Sequence, residues 1–275
     1  MTTVLVHIAL LAYVGGAAAF LTWLVRAQAG WARAGRLLLL LGVLVHFAAF
    51  AAGFGITELG VGAEAWKGGQ LFSLLAAVTV AGYLILDWRY EIPVAGAFIA
   101  PFTVAVMVPA HLVRSTDRAV APQLYHSAAL FVHVGSAALG TAALALAFGL
   151  SILYLASEKQ VKSKRPGRLI ARLPSLELID RAGYRLAVWG FVFLSLAIAT
   201  GSLVSKQAEG ALMPMAPKQG FAILAWALLA ALIQARLVAG WRGRRVAMLV
   251  VAGFALVVCT YIGLLSAGTA PGGTA

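Results

Sequence analysis

The sequence is poor in charge. Only 11% of its residues are Asp, Glu, Lys or Arg, and the acidic share is nine residues against 21 basic ones. A soluble domain covers itself with more charge than that. With 62% apolar residues and a mean hydropathy of +0.94, the chain reads as an integral membrane protein. Its apolar runs hold no Asp, Glu, Lys or Arg well inside them, which excludes the charged relay or gating series used by many ion-coupled transporters and pumps. Cysteine is almost missing. Cys259 stands alone, so intrachain disulfides and paired-thiol redox chemistry are excluded, and the residue reads as small packing. The runs also hold no grouping of acid, base and nucleophile, so an enzyme with covalent chemistry of its own is not expected. No internal repeat is visible, and there is no room for a folded soluble domain. The net charge of +12 does not point to nucleic acid, because the basic residues border the apolar runs, where they serve orientation and anionic headgroups.

What is present is a series of apolar runs. A span needs about 20 residues, so 275 residues allow about eight helices in a single membrane domain, 1–275. The runs fall at 4–25, 37–54, 70–86, 94–112, from 126 into a polar segment at 157–185, and then at 186–204, 219–238 and 246–266. The first is too long for a signal-peptide core and reads as a retained helix. Pro101 and Pro109 interrupt the fourth, where neighbouring helices can satisfy freed carbonyls. The tail 267–275 is expected to be disordered. Sixteen of the 21 Lys and Arg residues fall in alternate loops on one side, which predicts that side to be cytoplasmic and both termini to lie outside. The segment 157–185 is then cytoplasmic. Its run LPSLELIDRAGYRL alternates apolar residues with charges and reads as an amphipathic stretch at the membrane surface, suited to a soluble partner or anionic lipid.

Five histidines are the titratable groups at or near hydrocarbon depth. On this topology His7, His111 and His126 lie at the outer boundary. His133 lies about 9 Å inside it, and His46 sits near the midplane, roughly 13 Å from the cytoplasmic edge. An imidazole at such depth needs a role. Ser136, Ala137 and Gly140 share the side of the helix that carries His133 and make it flat. A flat face admits a second helix at close range. It equally admits a porphyrin with the imidazole reaching its iron, and spacing does not choose between the two. A lone histidine can also simply hydrogen-bond a neighbouring backbone.

A longer pattern bears on that choice. The run LYHSAALFVHVGSAALGTAALALAFGLSILYLASEKQVK, then LPSLELIDRAGYR, then Pro217-Lys218, then GWRGRR at 240–245 resembles, in that order, the cytochrome c assembly superfamily. The resemblance covers about 37–265 and is most similar to the HemX-like branch, related to the CcsA, ResC and CcmC haem-handling proteins. It implies a bundle of about eight transmembrane helices in a bacterial inner membrane. Such a bundle would bind haem, as haem b, through histidines at the outer face and work with other cytochrome c assembly proteins. His133 matches the family's outer histidine, and His46 occupies a position where relatives can carry one. Lys218 is the candidate partner for a haem propionate.

The sequence also departs from that pattern. The loop SKQAEGALMPMAPKQG lacks the tryptophans and the Asp with which the haem-transferring members hold a porphyrin. Gln234 stands where they carry a histidine, and no histidine follows in the tail. Met213 and Met215 are conceivable soft ligands in the altered loop. These departures fit a haem carrier, accessory factor or regulator better than a complete ligation synthase. For the HemX-like branch, the regulated partner would include glutamyl-tRNA reductase. The alternative is a haem-free small-solute transporter or a scaffold for assembly proteins.

Overall fold

The computed structural model describes residues 2–54, 68–112, 127–162, 174–210 and 217–269. They form eight helices: α1 (Thr2–Arg26), α2 (Ala29–Phe54), α3 (Gly68–Tyr90), α4 (Pro93–Leu112), α5 (Ala128–Lys162), α6 (Leu176–Glu209), α7 (Pro217–Val238) and α8 (Arg244–Thr269). No strand occurs among the described residues. Among the described residues seven helices are long and apolar enough to cross a membrane, and α4 adds a further apolar stretch over Pro93–Val108. Helices are the expected solution in lipid, because each satisfies its own backbone donors and acceptors.

Hydrogen-bonded pairs join α1 to α2, α2 to α3, α5 to α6 and α6 to α7, each helix running back along the one before it. Tyr13 meets His46 between α1 and α2, Asp87 meets Arg36 between α3 and α2, and His133 meets Ala197 between α5 and α6. Trp226 meets Ser195 between α7 and α6. α5 lies in the middle, packing on α3, α4, α6 and α8, and is the most buried of the spanning helices. α6 and α7 have the smallest buried share of the spanning helices and expose Val192, Leu196 and Leu224, and Leu11, Leu44 and Ile85 on other helices likewise face outward. In a bilayer these side chains meet lipid.

Small residues set the closest approaches. A β-carbon added at Gly42 would fall 2.6 Å from the Tyr13 ring, so α1 and α2 touch there only because the residue is glycine. The joints are as specific. Ala27 adopts φ 62° in the two-residue link between α1 and α2, and Glu91 adopts φ 52° between α3 and α4, where Pro93 opens the next helix. Pro101 and Pro109 both lie within one continuous α4.

Several helix boundaries differ from the hydropathy reading. α2 begins at Ala29 rather than near residue 37, because Arg36 extends to Asp87, and that carboxylate is buried. The polar segment 157–185 contributes to two helices, with the run LPSLELIDRAGYRL leading into α6. α5 runs on through Lys162, and α6 begins at Leu176, where the Ser175 hydroxyl accepts from the Leu178 backbone N–H at 3.3 Å. α6 then continues to a left-handed Gly210. α8 reaches Thr269, into the expected tail, whose remainder lies outside the described residues.

Candidate functional site

His133 stands on the second turn of α5, facing α6. Its Nδ1 donates to the Ala197 carbonyl at 2.7 Å, and that carbonyl also accepts from Thr200 Oγ1 at 3.3 Å. A carbonyl cannot donate, so Nδ1 carries a proton, and in the neutral form of the ring that tautomer puts the lone pair on Nε2. Histidines that ligate metals are held in this way, with one ring nitrogen fixed by an outer carbonyl. Gly201, one turn beyond Ala197, makes room for the ring: a β-carbon there would lie 2.8 Å from His133 Cε1.

The flat face beside His133 is filled by a helix. Gly140 abuts the backbone of α6 at Leu194 and Gly190, where an added β-carbon would come within 3.1 to 3.3 Å. Ser136 is buried and bonds to the Val132 carbonyl of its own helix. A planar ligand at His133 would therefore meet the ring from outside this seam.

His46 has a different setting. It is fully buried (0% exposed), with Nδ1 3.1 Å from the Tyr13 hydroxyl and Nε2 2.6 Å from the Ser73 hydroxyl. Its ring stacks on Phe50 at 5.2 Å and 9°. It thus joins α1, α2 and α3, and both ring nitrogens are at hydrogen-bond distance from protein hydroxyls. α3 touches the elements of both histidines, since Ser73 reaches His46 while Leu71 and Leu74 pack on Leu130 and Val134 of α5.

Of the remaining candidates, Lys218 falls at the end of the bundle where α5 begins. Ser127 Oγ donates to Gln207 Oε1 at 2.8 Å and ties the start of α5 to the end of α6. Lys218 is the second residue of α7, at the same end, with its side chain outside the described residues. Met213, Met215 and His126 also lie outside them, as does the His111 side chain. Gln234 is exposed on α7, and His7 is exposed on α1. Trp226 donates to Ser195 Oγ at 2.8 Å and stacks on Phe191, so its indole joins α7 to α6. Among the described residues no three His, Cys, Asp or Glu side chains converge, so a bare metal ion finds no such ligand set there. An iron porphyrin needs only one or two axial groups, and the donor chemistry of His133 fits that demand.

At the opposite end, two of the quoted sequence motifs meet. Asp180, from LPSLELIDR, accepts from the Gly243 backbone N–H of GWRGRR at 2.9 Å and pairs with Arg236 at 2.9 Å. The Arg236 guanidinium lies 4.1 Å over the Tyr184 ring. Sequence reasoning named the motifs but not this contact. It also missed Ala197, Gly201, Tyr13 and Ser73, which carry no local signal beyond being small or hydroxylated.

The family model described as Cytochrome C assembly protein matches residues 66–270. The cytochrome c biogenesis protein CcsA of Prochlorococcus marinus is 27% identical over 217 residues, covering 71% of this chain and 70% of the relative. CcsA of Trichormus variabilis is 33% identical over 116 residues, covering 42% of this chain and 33% of the relative. Among solved structures, Cytochrome c Heme Lyase CcmF superposes with a TM-score of 0.66 at 15% identity, covering 98% of this chain and 49% of that one. The chain thus spans about half the length of that solved protein, and the likeness is one of fold.

Proposed function

Because the chain belongs to the cytochrome c assembly family, we propose that it binds haem in the membrane and serves cytochrome c assembly as a carrier, accessory factor or regulator. The observation that carries this reading is the 2.7 Å bond from His133 Nδ1 to the Ala197 carbonyl. It holds the imidazole in the tautomer whose Nε2 can ligate a metal and fixes the ring against α6. Haem, as haem b, would supply an iron centre for this imidazole to hold. The family match and the CcsA relatives support the haem-handling role.

His46 enters the proposal on different terms. To ligate iron through Nδ1 or Nε2, it would exchange Tyr13 or Ser73 for the metal, at the cost of a buried hydrogen bond. Lys218 would meet a propionate as a point charge at the end of the bundle where His133 lies. The bacterial inner membrane, with both termini outside, is the setting that the loop charges favour. The altered loop and Gln234 support a carrier or HemX-like regulatory role, including one toward glutamyl-tRNA reductase, over a complete ligation synthase.

The test is an absorption spectrum of gently solubilised protein from haem-replete cells. A Soret band is expected in the parent chain, with loss of the band in His133→Ala. Colourless parent protein, or a band of full strength in the His133→Ala, His46→Ala double variant, would overturn the assignment.

A further inference from the structure

A groove of about 440 Å³ opens where α3 ends and α6 begins, lined by Arg89, Tyr90, Glu91, Leu178, Arg181 and Arg185. Its lining holds three arginines and one glutamate, a formal balance of +2. Tyr90 organises two of them: Arg185 Nη1 donates to its hydroxyl at 3.2 Å, and the Arg89 guanidinium lies 5.3 Å from its ring centroid. The two arginines thus hold defined positions around one ring, on elements far apart in sequence. Arg181 pairs along its own helix with Glu177, but both side chains are largely exposed (58% and 77%), so that pair costs little to rearrange.

The level of the groove in the membrane narrows its ligand. Trp88, two residues before Tyr90, is 84% exposed at the end of a spanning helix, where indoles mark the boundary between hydrocarbon and water. Leu178 adds an apolar group to a lining in which arginine predominates. Guanidinium groups pair phosphates in a two-point geometry, and basic pockets between membrane helices at this depth take anionic headgroups.

We propose that the groove of Arg89, Tyr90, Arg181 and Arg185 binds the headgroup phosphate of an anionic phospholipid. The lipid bridges the α3–α4 turn and the start of α6. It therefore fills, at the membrane boundary, a cleft between the first helices of the bundle and α6. Glu91 lies in the same groove as an acceptor, which suits a headgroup carrying hydroxyls, as phosphatidylglycerol does.

Native mass spectrometry of the full chain in detergent, titrated with phosphatidylglycerol, reads this directly. The parent chain is expected to keep phosphatidylglycerol adducts at collision energies that strip phosphatidylcholine. Arg89→Gln with Arg185→Gln should weaken phosphatidylglycerol binding by about thirtyfold, from roughly fivefold for each basic residue near the headgroup layer. Arg26→Gln, at the end of α1 and outside the groove, should leave it unchanged. Inorganic phosphate in millimolar excess should not displace the lipid; full displacement would mean that a soluble anion is the ligand and would overturn the proposal. Equal lipid binding by the parent and the double Gln variant would also overturn it. Should that variant fail to purify, Tyr90→Phe provides the same reading, since it releases Arg185 while keeping all three charges. A several-fold loss is then expected, and none would overturn the proposal.

Discussion

Gly201 faces His133 so closely that a β-carbon added to it would lie 2.8 Å from Cε1 and 2.9 Å from Nδ1 of the imidazole. The histidine and the glycine are therefore one unit, although they lie on different helices and 68 positions apart in the sequence. Gly201→Ala should push the ring off the Ala197 carbonyl or part α5 from α6. We expect the haem content per protein to fall several-fold and the stability to drop by about 1–3 kcal/mol, as for other overpacked sites. A pyridine haemochrome assay and thermal melting in detergent check both. Gly135→Ala, on the same helix as His133 but with nothing within 4 Å, is the control and should be neutral or stabilising by up to about 1 kcal/mol.

Tyr13 and Ser73 hold the two ring nitrogens of His46. Tyr13→Phe and Ser73→Ala should each cost about 1–3 kcal/mol, the penalty for leaving a buried polar atom unsatisfied. Both should leave the Soret band in place. Melting curves and spectra of the two variants, set beside those of His46→Ala, separate the roles of this residue. A band lost only in His46→Ala identifies a ligand, whereas three stable bands with three lowered melting points identify a joint between α1, α2 and α3.

Asp180 and Arg236 are mostly shielded, with 12% and 14% of their side chains exposed. Removing one partner strands the other charge, so Asp180→Ala should destabilise by about 3 kcal/mol, and Arg236→Met with Asp180→Leu should recover part of that loss. Glu177→Ala, which breaks an exposed pair on the same helix, should change stability by less than about 0.5 kcal/mol. Unfolding in a graded mixture of mild and denaturing detergent ranks the three.

Gly243 combines two constraints. Its φ is +69°, and an added β-carbon would lie 2.6 Å from the Tyr154 hydroxyl. Gly243→Ala should cost about 1–2 kcal/mol for the left-handed backbone alone, with the clash in addition. Tyr154→Phe removes the clashing oxygen and leaves the backbone cost. The double variant should therefore be less destabilised than the sum of the singles, and a double-mutant cycle from thermal melts measures the difference.

The helix count was legible because hydrocarbon tolerates little but apolar helix, and eight runs such as 94–112 and 246–266 reappear as α4 and α8. The ends were not. Hydropathy reports the part of a helix inside hydrocarbon, so it stops near 37 in α2 and starts at 186 in α6. The backbone bonding continues past Arg36 and Arg185 into the headgroup layer, where charge is tolerated. His133 stood out as an imidazole in an apolar run. Its partners did not, because Ala197 contributes a carbonyl that any residue would have. The flat face at Gly140 illustrates the same limit: spacing allowed a helix or a macrocycle, and the close approach of α6 fills it.

α6 has 34 residues, about 51 Å of unbroken helix, well beyond the roughly 30 Å of a hydrocarbon core. Near one end it carries Arg181 and Arg185 on the basic groove, and further along it carries Ala197 and Gly201 on the imidazole. From Arg185 to Gly201 is about 24 Å of continuous rod. Mechanically, α6 is a beam with a bearing on either side of its middle. The groove and the seat of His133 are thus two stations on one helix, with no loop or joint between them.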